Sequence, residues 1–232
     1  MSRDGPVHRD GPTSAVRPRR LVVVAGTATE VGKTWVACAL SRALRARGLS
    51  VAARKPTQSF LPGDPTTDAD ELATATGEDP LRVCPAHRRY ELPRAPPMAA
   101  AALGRDPIRL AELIDETTAS WPEHAVDVGL VELAGGVRSP LAVDGDGVGL
   151  AAALAADLVV VVADPGLGTI NSVRMTVGAL SGPAPVVVHL NRFDPDDDLH
   201  GPNRDWLVER DGLRVTTTIG ALADAVGGAG DR

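Results

Sequence analysis

The sequence predicts a three-layer α/β fold, a mostly parallel doubly wound sheet with helices on both faces, on three observations. Apolar β-branched runs alternate with helix-like stretches, the strongest runs are continuously hydrophobic, and a glycine-bearing turn follows the first run directly. Alternating strand and helix patterns build βαβ units. Strands that are apolar at every position, as in VVVVAD and VVVHLN, are those covered by helices on both sides.

Taken in chain order, LVVVA predicts a first strand over 21–25, and WVACALSRALRARG carries its apolar residues at helical spacing, predicting a helix over 32–47. A second strand is expected at 51–53, then a helix over 67–76 for which Thr67 can serve as N-cap. A helix over 107–120 leads to a strand over 126–132. Asp146 opens a helix over 146–156, and VVVVAD gives a strand over 158–164. A helix over 169–181, a strand over 186–191, a helix over 203–210 and a weaker strand over 213–218 complete the pattern. Residues 1–20, rich in Arg, Pro and Gly, read as a disordered tail, 21–226 as one domain and 227–232 as a flexible end.

Composition narrows the function. A net charge of -6 supplies no basic surplus for nucleic acid or an anionic membrane. No apolar run approaches the roughly 20 residues that cross a bilayer, and the N-terminus lacks the apolar stretch of a secretory signal. The two cysteines, Cys38 and Cys84, have neither disulfide-framework nor zinc-site spacing, which fits a reducing cytoplasm. His87, His124 and His200 show no ligand spacing and receive no role.

Chemistry concentrates at strand ends, where open parallel sheets collect ligands. The first strand runs into Gly26-Thr27-Ala28-Thr29-Glu30-Val31-Gly32-Lys33-Thr34 and then a helix, the context a phosphate-binding loop requires. Gly32 permits a tight curl, successive N–H groups face the phosphates, Lys33 reaches β/γ oxygens, and the Thr34 hydroxyl can ligate Mg²⁺. The first glycine stands at Gly26, one residue earlier than in the usual G-x4-G-K-[ST] pattern. The expectation is therefore P-loop NTPase-like.

Lys55 ends the second strand, pointing toward the phosphates. Glu132 ends a hydrophobic strand, where a buried carboxylate costs several kcal/mol unless it has a partner, so it is a metal-ligand candidate; Asp164, ending VVVVAD, is its rival. Gly168, Thr169, Ile170 and Asn171 open a helix whose N–H groups can hold a carboxylate, or simply start that helix. Asn191 can address a purine edge, yet Asn191-Arg192-Phe193-Asp194 is also similar to the guanine-reading Asn-Lys-x-Asp pattern. ATP is favoured and base choice stays open.

In order, GTxTEVGKT, KPxxS, the TDA segment, VExAGG and GLGTIN resemble dethiobiotin synthase, from residue 21 to the C-terminal helix. The resemblance implies that an amine of 7,8-diaminopelargonate captures CO2 as a carbamate, that the carbamate attacks the γ-phosphate of ATP, and that the second amine displaces phosphate to close a ureido ring. It implies that Lys33 and Lys55 stabilise phosphates and carbamate, with Thr34, Asp68 and Glu132 on Mg²⁺. Glu30 would lie near the phosphate loop, Thr29 and Ser59 close to the amines or carbamate. By itself Asp68 also fits a charge in a helix's first turn. The family shares its site between two subunits, so a homodimer is implied, with residues 168–171 of one chain taking the substrate carboxylate of the other.

The sequence departs from the family at Leu133 and Phe60, where glycine is usual, adding bulk near the expected site, and at Pro96-Pro97, where Pro-His is common. An ATP-dependent amide- or carbamate-forming ligase with another substrate is therefore the alternative, followed by a partitioning-type ATPase. That ATPase class carries an extra lysine early in the loop, which residues 26–31 lack, and a GTPase switch would need glycine where Leu167 stands.

Overall fold

The computed structural model describes residues 15–180, 182 and 184–228. Its order is β1 Arg20–Gly26, α1 Lys33–Ala46, β2 Val51–Arg54, β3 Gln58–Ser59, α2 Asp68–Thr76, α3 Pro80–Val83, β4 Arg89–Tyr90, α4 Pro96–Ala102, α5 Leu110–Ala119 and β5 Val128–Glu132. There follow β6 Pro140–Ala142, β7 Gly145–Asp146, α6 Gly147–Ala153, β8 Leu158–Ala163, α7 Thr169–Ala179, β9 Val186–Leu190, α8 His200–Glu209, β10 Arg214–Thr216 and α9 Ile219–Gly227.

Six strands form one sheet in the order β10-β9-β8-β1-β5-β2, and every pairing in it is parallel. The continuous hydrophobicity now has its cause. Leu21, Val23 and Ala25 of β1 join one core with residues of α5, α6, α7 and α8, while Val22 and Val24 join a second core with α1, α2 and α9. Successive side chains on a strand point to opposite faces, so with helices on both sides every position of β1 from Leu21 to Ala25 is apolar. Residues such as Leu40, Leu44 and Leu130 have no exposure at all, and each such burial contributes about 1.5–3 kcal/mol.

Element ends moved for local reasons. The helix expected over 146–156 stops at Ala153, because Leu154 caps it and Ala155 takes a positive φ of 50°. α8 starts at His200 rather than 203, and α5 starts at Leu110 rather than 107. α4 was not expected; Pro96 and Pro97 stand in its first turn, where a proline's missing N–H costs nothing.

Of the tail expected over 1–20, residues 1–14 lie outside the described residues, but 15–20 do not behave as a tail. Val16 N donates to Pro122 O at 3.0 Å and Arg19 N to Val126 O at 2.9 Å. Pro18 packs so closely on Gly129 that a Cβ there would sit 2.3 Å from the proline ring. At the other end, Gly227 closes α9 and residues 229–232 lie outside the described residues.

Candidate active site

The carboxyl ends of β1, β2 and β5 open on a cavity of about 700 Å³. The loop between β1 and α1 forms its floor. Glu30 and Gly32 adopt positive φ of 63° and 90°, and alternating handedness of this kind turns consecutive N–H groups toward one point, a nest for an anion. Gly26 has to be small: a Cβ would lie 2.9 Å from both the Lys33 and Val31 side chains. Thr27 N donates to Val162 O at 3.0 Å, so the loop leaves the sheet from a fixed point. Lys33 bends back across the turn, its Nζ donating to Ala28 O at 3.0 Å. Burial, then repulsion from Lys55, lowers its pKa to about 8, against the pull of Glu132 and Asp68.

Above the floor sits a charge cluster assembled from three elements. Lys55 Nζ lies 2.5 Å from Glu132 Oε1 and 2.7 Å from Asp68 Oδ2. Thr34 Oγ1 donates to the same Glu132 oxygen at 2.8 Å. Burial works against the Lys55 ammonium, but the Glu132 and then the Asp68 charges outweigh it and hold its pKa above the ordinary lysine value. Burial raises Glu132 above the usual carboxylate range although Lys55 opposes it, whereas Lys55 overcomes burial at Asp68 and lowers it. Glu132 Oε2 is buried with no hydrogen-bond partner among the described residues. Such an orphan is expensive and marks a place where a cation or donor belongs.

Asp68 reaches this cluster because the start of α2 is fixed twice. Thr67 and Asp70 form a capping box, and Gln58 of β3 clamps the turn, with Oε1 accepting from Ala69 N at 3.0 Å and Nε2 donating to Thr67 Oγ1 at 3.0 Å. Gln58 is a site residue that sequence reasoning missed; its only signal was a glutamine following KPT at a strand end. Arg94 and Ser139, also missed, line the cavity. Ser59 Oγ donates to Arg94 O at 2.6 Å, and Gly136 N donates to Ser139 Oγ at 3.0 Å, shaping the turn after Glu132.

Thr29, Glu30, Gly32, Lys33, Thr34, Lys55, Ser59, Asp68 and Glu132 thus share one cavity. Other candidates sit apart from it. Gly26 and Val31 support the loop from beneath. Asn191 is 4% exposed, behind the loop, its Nδ2 donating to Val31 O at 2.9 Å. Residues 168–171 line no part of the cavity. Asp164, the rival metal ligand, is exposed and accepts from Gly166 N at 2.9 Å, closing its own turn. Leu133 needs a correction that Phe60 does not. Leu133 is 1% exposed and packs toward Gly147 in the core, so its bulk never enters the site, whereas Phe60 does line the cavity.

A parallel sheet whose first strand delivers a nest of N–H groups, a Lys-Thr helix start and a carboxylate on the adjacent strand defines an α/β enzyme that uses a nucleoside triphosphate. A family profile described as an AAA domain matches residues 20–223. An ATP-dependent dethiobiotin synthetase from Anaeromyxobacter dehalogenans strain 2CP-1 is 44% identical, covering 77% of this chain and 79% of its own. One from Rhodococcus jostii RHA1 is 42% identical over 69% of this chain and 68% of its own. The chain belongs to the ATP-dependent dethiobiotin synthetase family. Among solved structures, the signal recognition particle receptor FtsY from Elizabethkingia anophelis superposes with a TM-score of 0.52 at 13% identity, over 90% of this chain and 63% of that one. At that identity the likeness concerns the fold alone. Among the described residues no helix is long and apolar enough to cross a membrane.

Proposed function

We propose that the chain carries out the reaction for which its relatives are named, the ATP-dependent synthesis of dethiobiotin from 7,8-diaminopelargonate and CO2. It is an ATP-dependent ligase of biotin biosynthesis. The observation that carries the reading at the level of residues is the Lys55, Glu132, Asp68 and Thr34 cluster facing the phosphate loop.

One substrate amine adds to CO2, loses a proton and becomes a carbamate. Its oxygen attacks the γ-phosphorus, the bond to ADP breaks, and the resulting mixed anhydride is opened by the second amine, which forms the ring's C–N bond as phosphate departs. Lys33 and Lys55 offset charge on the γ-phosphoryl group and the carbamate, Lys33 after leaving Ala28 O. Thr29 and Ser59 orient the amines. Catalysis of this type is positioning and electrostatics.

Mg²⁺ fits the residues present. Thr34 Oγ1 and the orphan Glu132 Oε2 are oxygen donors beside the loop, and Asp68 completes the set. Among the described residues no group of three His, Cys, Asp or Glu is arranged to hold a metal alone. That suits an ion that takes one or two carboxylates and draws its remaining ligands from water and phosphates. When bound, it would neutralise β- and γ-phosphate oxygens. A homodimer with a shared site, residues 168–171 of one chain receiving the substrate carboxylate of the other, is part of the reading. Leu167 at 93% and Met175 at 70% exposure support it, as apolar surface beside that helix start. Buried, unpaired Cys38 and Cys84, whose thiols burial pushes to about 12, suit a reducing cytoplasm.

Phe60 in the cavity favours one second reading, a related ligase with another diamine. Incubation with bicarbonate, MgATP and either 7,8-diaminopelargonate or related diamines separates the two. Phosphate release that needs CO2 and is fastest with 7,8-diaminopelargonate is expected. Release without any diamine would point to a switch ATPase.

A further inference from the structure

The phosphate loop is gripped from behind by a residue whose expected task was to read the base. Asn191 follows β9, its backbone N donating to Ala163 O at 2.9 Å, so it stands on the sheet. From there its Nδ2 donates to Val31 O at 2.9 Å, across 160 residues of chain. That bond has ordinary length and is buried, hence worth more than a surface contact. It also occupies the space over Gly32: a Cβ on that glycine would lie 2.2 Å from Asn191 Nδ2. The neighbouring Arg192, at a positive φ of 59°, directs its guanidinium to Glu30 O at 3.4 Å. The carbonyls of Glu30 and Val31 therefore both face donors from the end of β9.

The consequence concerns the other side of the same peptides. Holding the carbonyl of Val31 backward fixes the plane of the Val31–Gly32 peptide, and so aims the Gly32 N–H into the nest. A loop set this way before ligand arrives does not spend binding energy on ordering itself. Resting on the reading of 26–34 as the triphosphate site, we infer that Asn191 is a positioning residue for the phosphate loop. It preorganises the loop for any polyphosphate, with or without a base.

A ligand lacking the base tests this. Calorimetric titration of the full chain with Mg-tripolyphosphate and with MgATP, for wild type, Asn191→Ala and the milder Asn191→Ser, is expected to show both ligands weakened by a similar factor of about tenfold in the variants. Asn191→Asp, which sets an oxygen against Val31 O, should fall at least as far. The ratio of ATP to GTP affinity should change less than twofold. If tripolyphosphate binds the variants as it binds wild type while ATP weakens, Asn191 reads the base and the inference is overturned. Unchanged affinity for both ligands overturns it as well. Failure of wild type to bind either ligand would instead remove the nucleotide reading on which the inference stands.

Discussion

Two helices begin in the same way and stand in opposite surroundings. α1 and α7 each follow a strand and a turn, each has a glycine N-cap at φ 90°, and neither N-cap glycine supplies a side-chain bond. At Gly32 the surroundings are full: Asn191 stands where a Cβ would go, and Lys33 is 6% exposed. At Gly168 nothing lies within 4 Å of that position, and the preceding Leu167 is 93% exposed. The same backbone device is clamped in one place and presented in the other. Within one chain the first start is furnished with charge, counter-charge and support; the second has N–H groups and an exposed apolar neighbour.

The contrast can be broken most sharply at the clamped start. Lys33→Ala is expected to cut phosphate release at least about 10³-fold, a loss typical of a group that meets transition-state charge, while circular dichroism stays native. A variant that keeps a tenth of wild-type activity would contradict the assignment of Lys33.

Next in size, Glu132→Gln should slow turnover about 10²-fold and raise the Mg²⁺ concentration needed for half-maximal rate. The thermal midpoint should move little, since Lys55 keeps Asp68 as a partner. Rate and metal dependence both unchanged would show that Glu132 is not a ligand.

At the presented start, Asn171→Asp separates helix physics from recognition. An acid in the first turn favours a helix, so stability should hold or rise slightly. The same charge should raise KM for the diamino acid about tenfold with kcat preserved, if a substrate carboxylate is received there. Mixing Asn171→Asp subunits with Lys33→Ala subunits should restore normal KM to part of the activity. An Asn171→Asp enzyme with unaltered KM would leave the second helix start without its role.

The smallest effect lies beneath both. His189 is 2% exposed and meets Thr216 Oγ1 at 3.0 Å. Burial lowers its pKa from 6.5 to about 4. Its contribution is whole above pH 6.5 and is lost as pH falls toward 4, because the unfolded chain takes a proton that the folded chain refuses. The loss reaches roughly 3 kcal/mol at most. Urea titrations of His189→Gln should follow a flatter course over that interval; an identical acid limb would assign the loss to other groups.

What was legible in the sequence follows the same division. The loop, Lys55 and Glu132 were readable because chemistry and position coincide: glycine, lysine and carboxylate at the ends of apolar strands. Leu133 was misplaced although a signal existed. Val131 and Leu133 share one core and Leu130 the other, so strand alternation already put Leu133 on the face away from Glu132. Asp164 shows that ending a buried strand is not enough, since it caps a turn in the open. Gln58 and Asn191 were harder. Each has a backbone partner, Ala69 N for Gln58 and Val31 O for Asn191, and a backbone partner leaves no mark in the sequence. Residues 15–20 looked like a tail because Arg and Pro dominate there, yet a buried proline, main-chain bonds from Val16, Arg19 and Arg20, and the Arg17 and Arg20 side chains hold them.

The place of β1 in the sheet has a consequence for the ribosome. β1 is made first of the six strands, yet its partners are β5 and β8, whose last residues are Glu132 and Ala163. A nascent chain therefore carries its nucleotide motif from Thr34 to Glu132 with neither neighbour complete, and on to Ala163 with only one. Distant pairings of this kind close slowly, and the phosphate loop has both of its flanking strands only once the eighth strand has left the exit tunnel.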